Sequence, residues 1–276
     1  NNECSTTINL VIDLHAPKKN QHSTYRSKCL IKFVKAADPA AFLILKHNWK
    51  RSSYTLKTVK IILVTILLFV YTNIGVAAYS PQTSGKAAIL MDGQSNRILY
   101  ESNSRERLPM ASTTKIMTAI VALEHGKLDD QIIIPPEASG IEGSSIWLSS
   151  GETHTLEDLL YGLMLRSGND AATAIAIHIG GSVEGFAAMM NSTAKKIGAK
   201  DTNFVNPHGL HNDEHYTTAY DLALITSHGL KNPDFESIVS TKYHTIPWEG
   251  HEWDRAMKNK NKILWTYEGA NGVKTG

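Results

Sequence analysis

The sequence predicts an α+β domain, a sheet interrupted by a helical insertion, and three observations carry that prediction. A strand–turn–strand pattern spans residues 86–102, a series of capped helices runs from 112 to 229, and strand-like segments return at 242–248 and 262–269. In the first of these, KAAILM (Lys86 to Met91) and RILYES (Arg97 to Ser102) flank Asp92-Gly93-Gln94-Ser95-Asn96, a turn-forming run, and read as a hairpin. The first helix follows Leu108-Pro109-Met110-Ala111. Its Ile116, Ala119, Ile120 and Leu123 fall at i, i+3, i+4 and i+7, one buried stripe, and Gly126 ends it. QIII (Gln131 to Ile134), stopped by Pro135-Pro136, reads as a short strand.

The later helices announce themselves by their caps. Thr155 with Asp158 three residues on makes a capping-box-like start for LEDLLYGLMLR, which ends at Ser167-Gly168-Asn169. Asp170 opens a helix that stops at Gly180-Gly181, and Ser182 caps another that runs to Ile197 and Gly198. Thr218 begins YDLALITSHGL, ending at Gly229. KYHTIPW and KILWTYEG have strand character.

Charge divides the chain. Residues 1–78 carry a balance of +8, whereas residues 79–276 carry −6, so the body offers no electrostatic case for a nucleic-acid partner. Both cysteines, Cys4 and Cys29, lie in the basic leader, which leaves the body without thiols for a disulfide or zinc. Within that leader, Lys57 and Lys60 precede the apolar run Ile61 to Val70, then Tyr71-Thr72-Asn73 and Gly75-Val76-Ala77-Ala78. Charge, a short apolar run and small residues form a secretory signal, with cleavage expected after Ala78 and export as the consequence. Residues 1–55 show no helical or strand periodicity, and no methionine precedes Met91. The organisation expected is therefore 1–55 as upstream translation or a disordered leader, 56–78 as the signal peptide starting at Leu56, and 79–276 as the folded body.

Two Ser-x-x-Lys tetrapeptides occur, Ser112 to Lys115 and Ser192 to Lys195. The second lies inside the helix capped at Ser182, where both residues belong on the polar face. The first lies where proline blocks earlier helix, so Ser112 sits in or beside the first turn, with Lys115 on the same face one turn on. Taken alone it reads first as an N-cap and a solvated lysine. Ser167-Gly168-Asn169 is the one Ser-x-Asn in the chain, and Lys274-Thr275-Gly276 the one Lys-Thr-Gly; each alone reads as a helix stop or a strand end. The three in this order match the set found in serine enzymes that react with penicillins.

With those motifs, the chain resembles the serine D-alanyl-D-alanine carboxypeptidases among the low-molecular-mass penicillin-binding proteins, peptidase family S11, from about Lys86 to Gly276. LPMASTTKIMTAIVALE, EGSSIWL, LLYGLMLRSGNDAA, FVNPHGL, HYTTAYDLA and WTYEGANGVKTG all carry the likeness. The resemblance implies a β-lactamase/transpeptidase-like fold, an antiparallel sheet packed with helices plus a helical subdomain. It implies that Ser112 acylates on a peptidoglycan stem peptide ending in D-Ala-D-Ala, with β-lactams as covalent inhibitors and no cofactor. Lys115 would be the base, which requires it to be neutral. Ser167 would relay a proton to the leaving D-alanine, Asn169 would hold the peptide backbone, and Lys274, Thr275 and Gly276 would bind the substrate, its terminal carboxylate included. The His-rich NPHGLHNDEHY, with His208, His211, Asp213 and His215, lacks the helical i, i+4 pairing of a zinc protease and is assigned to the scaffold, so no metal is expected.

In that family the Lys-Thr-Gly strand is central and further strands follow, one oxyanion donor coming from the residue after the glycine. The expectation from this sequence is that those strands lie beyond Gly276 and that residues 79–276 alone fold poorly and are nearly inactive. Members of the family often add a β-rich domain and an amphipathic membrane anchor, the route by which membrane association would arise. Losing one oxyanion donor costs about 10²–10³ in rate. The rivals are a D,D-endopeptidase using the same residues and an inactive peptidoglycan-binding fragment. A β-lactamase is disfavoured because Ser167-Gly168-Asn169 stands in place of Ser-Asp-Asn and no deacylating glutamate is evident.

Overall fold

The computed structural model describes residues 9–13, 53–72, 81 and 83–276. Two compact units result, one of residues 1–16 with 83–276 and one of residues 17–82. The second unit contributes helix α1 (Ser53–Thr72), which covers the apolar run of the expected signal. Among the described residues no single helix is long and apolar enough to cross a membrane. The expected cleavage point after Ala78, Cys4 and Cys29 lie outside the described residues.

In the first unit, β2 (Ala88–Asp92) and β3 (Ile98–Ser102) form the expected hairpin, with an irregularity between Leu90 and Met91. The other edge of β2 is taken by β1 (Asn9–Asp13), parallel and in register from Asn9 opposite Ala88 to Asp13 opposite Asp92. Periodicity had placed residues 1–55 outside the fold, yet these five form a strand. A largely buried strand has two hydrogen-bonding edges, and an extended apolar segment can satisfy the one its hairpin partner leaves open.

A 3₁₀ turn, Ala111–Thr114, leads into α2 (Lys115–His125), the central helix of this unit. The predicted apolar stripe understates it: every residue from Lys115 to Ala122 is buried. Around it pack α4 (Asn169–Gly180), α5 (Val183–Ile197), α6 (Ala219–Gly229) and α7 (Pro233–Ser240), through Ile175, Phe186, Leu222, Ile225 and Phe235 among others. The capping signals hold. Asp158 N–H donates to Thr155 Oγ1 at 3.0 Å in a full capping box, Gly185 N–H to Ser182 Oγ at 3.0 Å, and Asp221 N–H to Thr218 Oγ1 at 3.0 Å. Ser192 and Lys195 are exposed on α5, as expected of the second tetrapeptide.

Several segments depart from expectation. Helix α3 (Leu156–Tyr161) does not continue as α-helix to Arg166; Gly162–Arg166 widens into a π turn. Gln131–Ile133 (β4) pairs with an unforeseen β5 (Thr153–Thr155), a segment too short to show alternation. Tyr243–Ile246 (β6) is a strand as predicted, but its partner is Arg255–Lys258 (β7), while KILWTYEG forms a short helix, α8 (Ile263–Thr266). There the asparagines decide: Asn261 N–H donates to Asn259 Oδ1 at 2.9 Å and Ile263 N–H to Asn261 Oδ1 at 3.3 Å, starting a turn where propensity favours a strand. Lys274-Thr275-Gly276, expected on a strand, has no strand pairing among the described residues. An extended segment becomes a strand only beside a neighbour that completes its ladder.

A buried ionic cluster ties β7 to the loop before β5. The Arg255 guanidinium meets Glu152 Oε2 at 2.7 Å, and donates to the Trp147 carbonyl at 2.8 Å and the Pro247 carbonyl at 3.3 Å. Burial pushes the Glu152 carboxyl up, but the bonds from His154 and Arg255 outweigh it and hold the carboxyl below its ordinary range. Replacing Arg255 with methionine would strand that carboxylate. The expected loss in the full-length protein is about 3 kcal/mol, a drop of roughly 6–12 °C in melting temperature. The double change Arg255→Met with Glu152→Gln should recover most of it; no recovery would show that packing, not charge, made the difference.

Candidate active site

The Ser112 turn is built under strain. Ala111, directly before it, has φ 45°, a left-handed conformation that costs a side-chain-bearing residue about 1–2 kcal/mol. Two further non-glycine residues on the walls of the site share this feature, Trp147 at φ 63° and Ser167 at φ 67°. Such strain persists where surrounding contacts over-determine the backbone, and it concentrates at functional sites. Ser112 is not a side-chain cap: the turn begins at Met110, and no side chain caps either it or α2.

Lys115 is wholly buried, an arrangement that several kcal/mol of desolvation would oppose if its amine stayed charged and unpaired. Its Nζ reaches three oxygens: Ser112 Oγ at 3.2 Å, Asn169 Oδ1 at 2.7 Å and the His208 carbonyl at 2.6 Å. Burial holds the Lys115 ammonium well below the ordinary lysine range, the Lys274 charge adds to that, and the Asp170 carboxylate pulls the other way. Asn169 is itself fixed, its Nδ2 donating to the Glu142 carbonyl at 2.5 Å. Gly143 passes so close that a Cβ there would lie 2.8 Å from Asn169 Nδ2.

Asp170 anchors the loop above. Its carboxylate accepts from Ser145 Oγ at 2.5 Å, Ile146 N–H at 3.0 Å and Leu148 N–H at 3.1 Å. Asp170 thereby spends its charge on ordering residues 145–148, one side of which Arg255 holds through the Trp147 carbonyl.

The loop 206–210 closes the other side. Asn206 Oδ1 accepts from Gly209 N–H at 2.7 Å, and Thr118 Oγ1 donates to the Pro207 carbonyl at 2.6 Å. Gly209 has φ 90°, and a Cβ on it would lie 1.9 Å from the Ala111 carbonyl oxygen. His215 N δ1 accepts from Val205 N–H at 3.1 Å, which leaves Nε2 protonated to donate to Thr114 Oγ1 at 2.7 Å. Burial pushes His215 down to about 4; burial, then the Lys115 and His215 charges, push His208 to about 4. Both are neutral at neutral pH, and His215 braces the turn before α2 through Thr114. His211 pairs with Asp213 at 3.4 Å in solvent, away from them in exposure and role.

Of the residues singled out in the sequence, Ser112, Lys115 and Asn169 come within hydrogen-bonding distance of one another through Lys115 Nζ. Ser167 does not join them by a bond: its hydroxyl is buried and has no hydrogen-bond partner. The π turn explains its placement, since the wide turn ends on the Ser167 N–H bonded to the Gly162 carbonyl and forces the left-handed backbone. Lys274 is half-buried; its Nζ donates to the Thr275 carbonyl at 2.7 Å, and its charge acts on Lys115. Burial and then Lys260 push it down to about 7. Thr275 is exposed, and Gly276 lies against the Ser112 turn, 3.4 Å from Thr113 Cγ2 by its would-be Cβ. Sequence reasoning missed the His208 carbonyl and Gly209, because a backbone acceptor carries no side-chain signature; the Pro-His-Gly run in a likeness to family phrasing was the only hint.

Known proteins share the sequence pattern and the fold. The model of the peptidase S11 family, D-alanyl-D-alanine carboxypeptidase, matches residues 74–276. The D-alanyl-D-alanine carboxypeptidase DacF of Bacillus subtilis is 39% identical over 196 residues, covering 69% of this chain and 50% of its own length. The chain thus spans about half the length of such curated relatives. Among solved structures, a D-alanyl-D-alanine carboxypeptidase from Mycobacterium tuberculosis superposes with a TM-score of 0.68 at 31% identity, over 72% of this chain and 76% of that one. A mutant of the Streptomyces K15 DD-transpeptidase gives 0.68 at 35% identity, over 71% and 82%. The chain with Ser112 and Lys115 at the head of its central helix belongs to the D-alanyl-D-alanine carboxypeptidase family, peptidase S11.

Proposed function

We propose that the full-length protein is an exported serine D,D-carboxypeptidase that removes the terminal D-alanine from peptidoglycan stem peptides and is acylated by β-lactams. The observation that carries this reading is the set of partners around Lys115. Two of the three, Asn169 Oδ1 and the His208 carbonyl, can only accept. A neutral amine has two N–H groups for them and one lone pair, left for the only partner able to donate, the Ser112 hydroxyl. Burial and Lys274 favour that neutral form.

Ser112 Oγ then bonds to the carbonyl carbon of the penultimate D-alanine as its proton passes to Lys115 Nζ. The C–N bond breaks, and the leaving amine of the terminal D-alanine takes up the proton that Lys115 received, with the unpartnered Ser167 hydroxyl as the relay, which returns Lys115 to its neutral form. Water, deprotonated by Lys115, hydrolyses the ester and restores Ser112. Asn169 holds the peptide backbone, and Lys274 with Thr275 and Gly276 receives the terminal carboxylate. Export rests on the pattern from Lys57 to Ala78, and puts the active enzyme outside the cytoplasm, at the membrane or wall.

The test is intact mass of the full-length protein after exposure to benzylpenicillin. One drug mass should be added to the wild type and none to Ser112→Ala. A folded wild type that stays unmodified would leave the wall-binding reading instead. A second reading follows from the likeness to the K15 DD-transpeptidase: an amine in place of water as acceptor. Free D-alanine alone, against a new peptide bond to an added amino acid, separates the two, and splitting of cross-linked dimers would mark the endopeptidase.

A further inference from the structure

Beside the Ser-Gly-Asn corner lies a cleft of about 480 Å³ that the mechanism above does not use, lined by Arg166, Lys258, Asn259, Lys260, Lys262 and Trp265. Four cations gather there although residues 79–276 carry a net −6. Among the described residues none of the four takes part in an ion pair; the ion pairs of lysine and arginine involve Arg107 and Arg255 alone. Burial and then the Arg166 charge lower the Lys260 ammonium, so these like charges are held close enough to oppose one another.

The cleft has a floor as well as a charge. The Lys258 ammonium lies 5.3 Å from the Trp265 ring and 5.8 Å from the Tyr243 ring, and the two rings meet edge to face at 6.1 Å. The aromatic pair positions the lysine where solvent alone would leave it free. The cleft also adjoins the site. Arg166 directly precedes Ser167, Lys260 N–H donates to the Leu165 carbonyl at 3.1 Å, and Lys260 Nζ donates to Ser144 Oγ at 3.2 Å. The Lys260 charge is felt at both Lys115 and Lys274.

We propose that this cleft is a carboxylate subsite for the acyl-donor part of the peptide, selecting acidic peptides that carry a free carboxylate upstream of the acylated D-alanine. The proposal rests on the carboxypeptidase reading, which gives the terminal carboxylate to Lys274 and Thr275. A second cationic centre then calls for a second anionic group on the same substrate. Arg166 offers a fork for bidentate pairing, and the lysines add point charges that solvent partly screens.

The test measures kcat/KM of the full-length protein on two acetylated peptides ending in D-Ala-D-Ala, identical but for an upstream glutamyl carboxylate that is free in one and amidated in the other. The free acid should be preferred about 10-fold at low salt, and about 0.5 M NaCl should erase most of that preference. The double variant Lys258→Gln, Lys262→Gln should bring the ratio to within about twofold of unity, because the lost pairs are those it counts. Should that variant fail to melt cooperatively, Lys262→Gln alone, exposed on its loop, must still lower the ratio. Equal turnover of both peptides by a wild type that benzylpenicillin acylates would overturn the subsite and leave the carboxypeptidase reading standing. So would an undiminished ratio in a folded variant. Polyphosphate that inhibits both peptides equally would assign the cleft to a wall or lipid phosphate and overturn it too. A folded protein that neither takes up penicillin nor releases D-alanine would sink both readings together.

Discussion

Replacing Lys115 with glutamine should slow acylation of Ser112 by about 10²–10⁴, the range a positioned general base contributes. Glutamine is one atom shorter but keeps a neutral polar end, and it cannot take the proton. Stability should not fall with activity. A neutral amide in a fully buried position avoids the desolvation that opposes the ammonium, so the melting temperature should hold or rise. Loss of both activity and stability would instead make Lys115 a structural residue.

The same chemistry fixes the sign of the pH profile. Lys115 must be neutral to act, so kcat/KM falls as pH drops through its lowered value. Lys274 must be charged to hold a carboxylate, and with its value near 7 the rate should decline again on the alkaline side. The acid limb depends on both lysines, because the Lys274 charge helps to hold Lys115 down. Lys274→Arg cannot lose its proton in this range and should remove the alkaline limb. Persistence of that limb in the arginine variant would assign it elsewhere.

What could be read from the sequence was whatever side chains signal locally. Thr155 with Asp158, Ser182 and Thr218 declare helix starts because their oxygens can satisfy only nearby N–H groups, and each does so here. The Asp92 turn was legible for the same reason: its carboxylate accepts from Ser95 N–H at 2.8 Å. The strands β5 and β7 were not, since three or four residues acquire strand character from a partner, not from alternation. KILWTYEG misled because its apolar and aromatic residues favour a strand while Asn259 and Asn261 start a turn. At the site, the order of three motifs brought Ser112, Lys115 and Asn169 to attention, and they do meet. The π turn that sets Ser167 apart depends on a hydrogen bond five residues back, which no residue type announces.

Gly209 tests the part of the site that side chains do not advertise. Changing it to alanine should cost on the order of 4 kcal/mol and slow acylation at least ~10²-fold. About 1–2 kcal/mol of that is the left-handed backbone alone. The remainder arises because the new Cβ would lie 1.9 Å from the Ala111 oxygen, a backbone atom that cannot rotate away, and 2.8 Å from Thr114 Oγ1. Either the loop 206–210 lifts, taking the His208 carbonyl from Lys115, or the Ser112 turn shifts. The first would leave the buried amine one acceptor short; the second would move the nucleophile. Both predict a loss of penicillin acylation greater than the loss of stability explains, measured by comparing adduct formation and melting temperature in Gly209→Ala and in Gly198→Ala. Gly198 also has a left-handed backbone, at φ 93°, but nothing lies within 4 Å of its would-be Cβ, so it should lose about 1–2 kcal/mol and keep its acylation rate. Equal kinetics in the two variants would mean that the close approach of Gly209 to Ala111 is packing and nothing more.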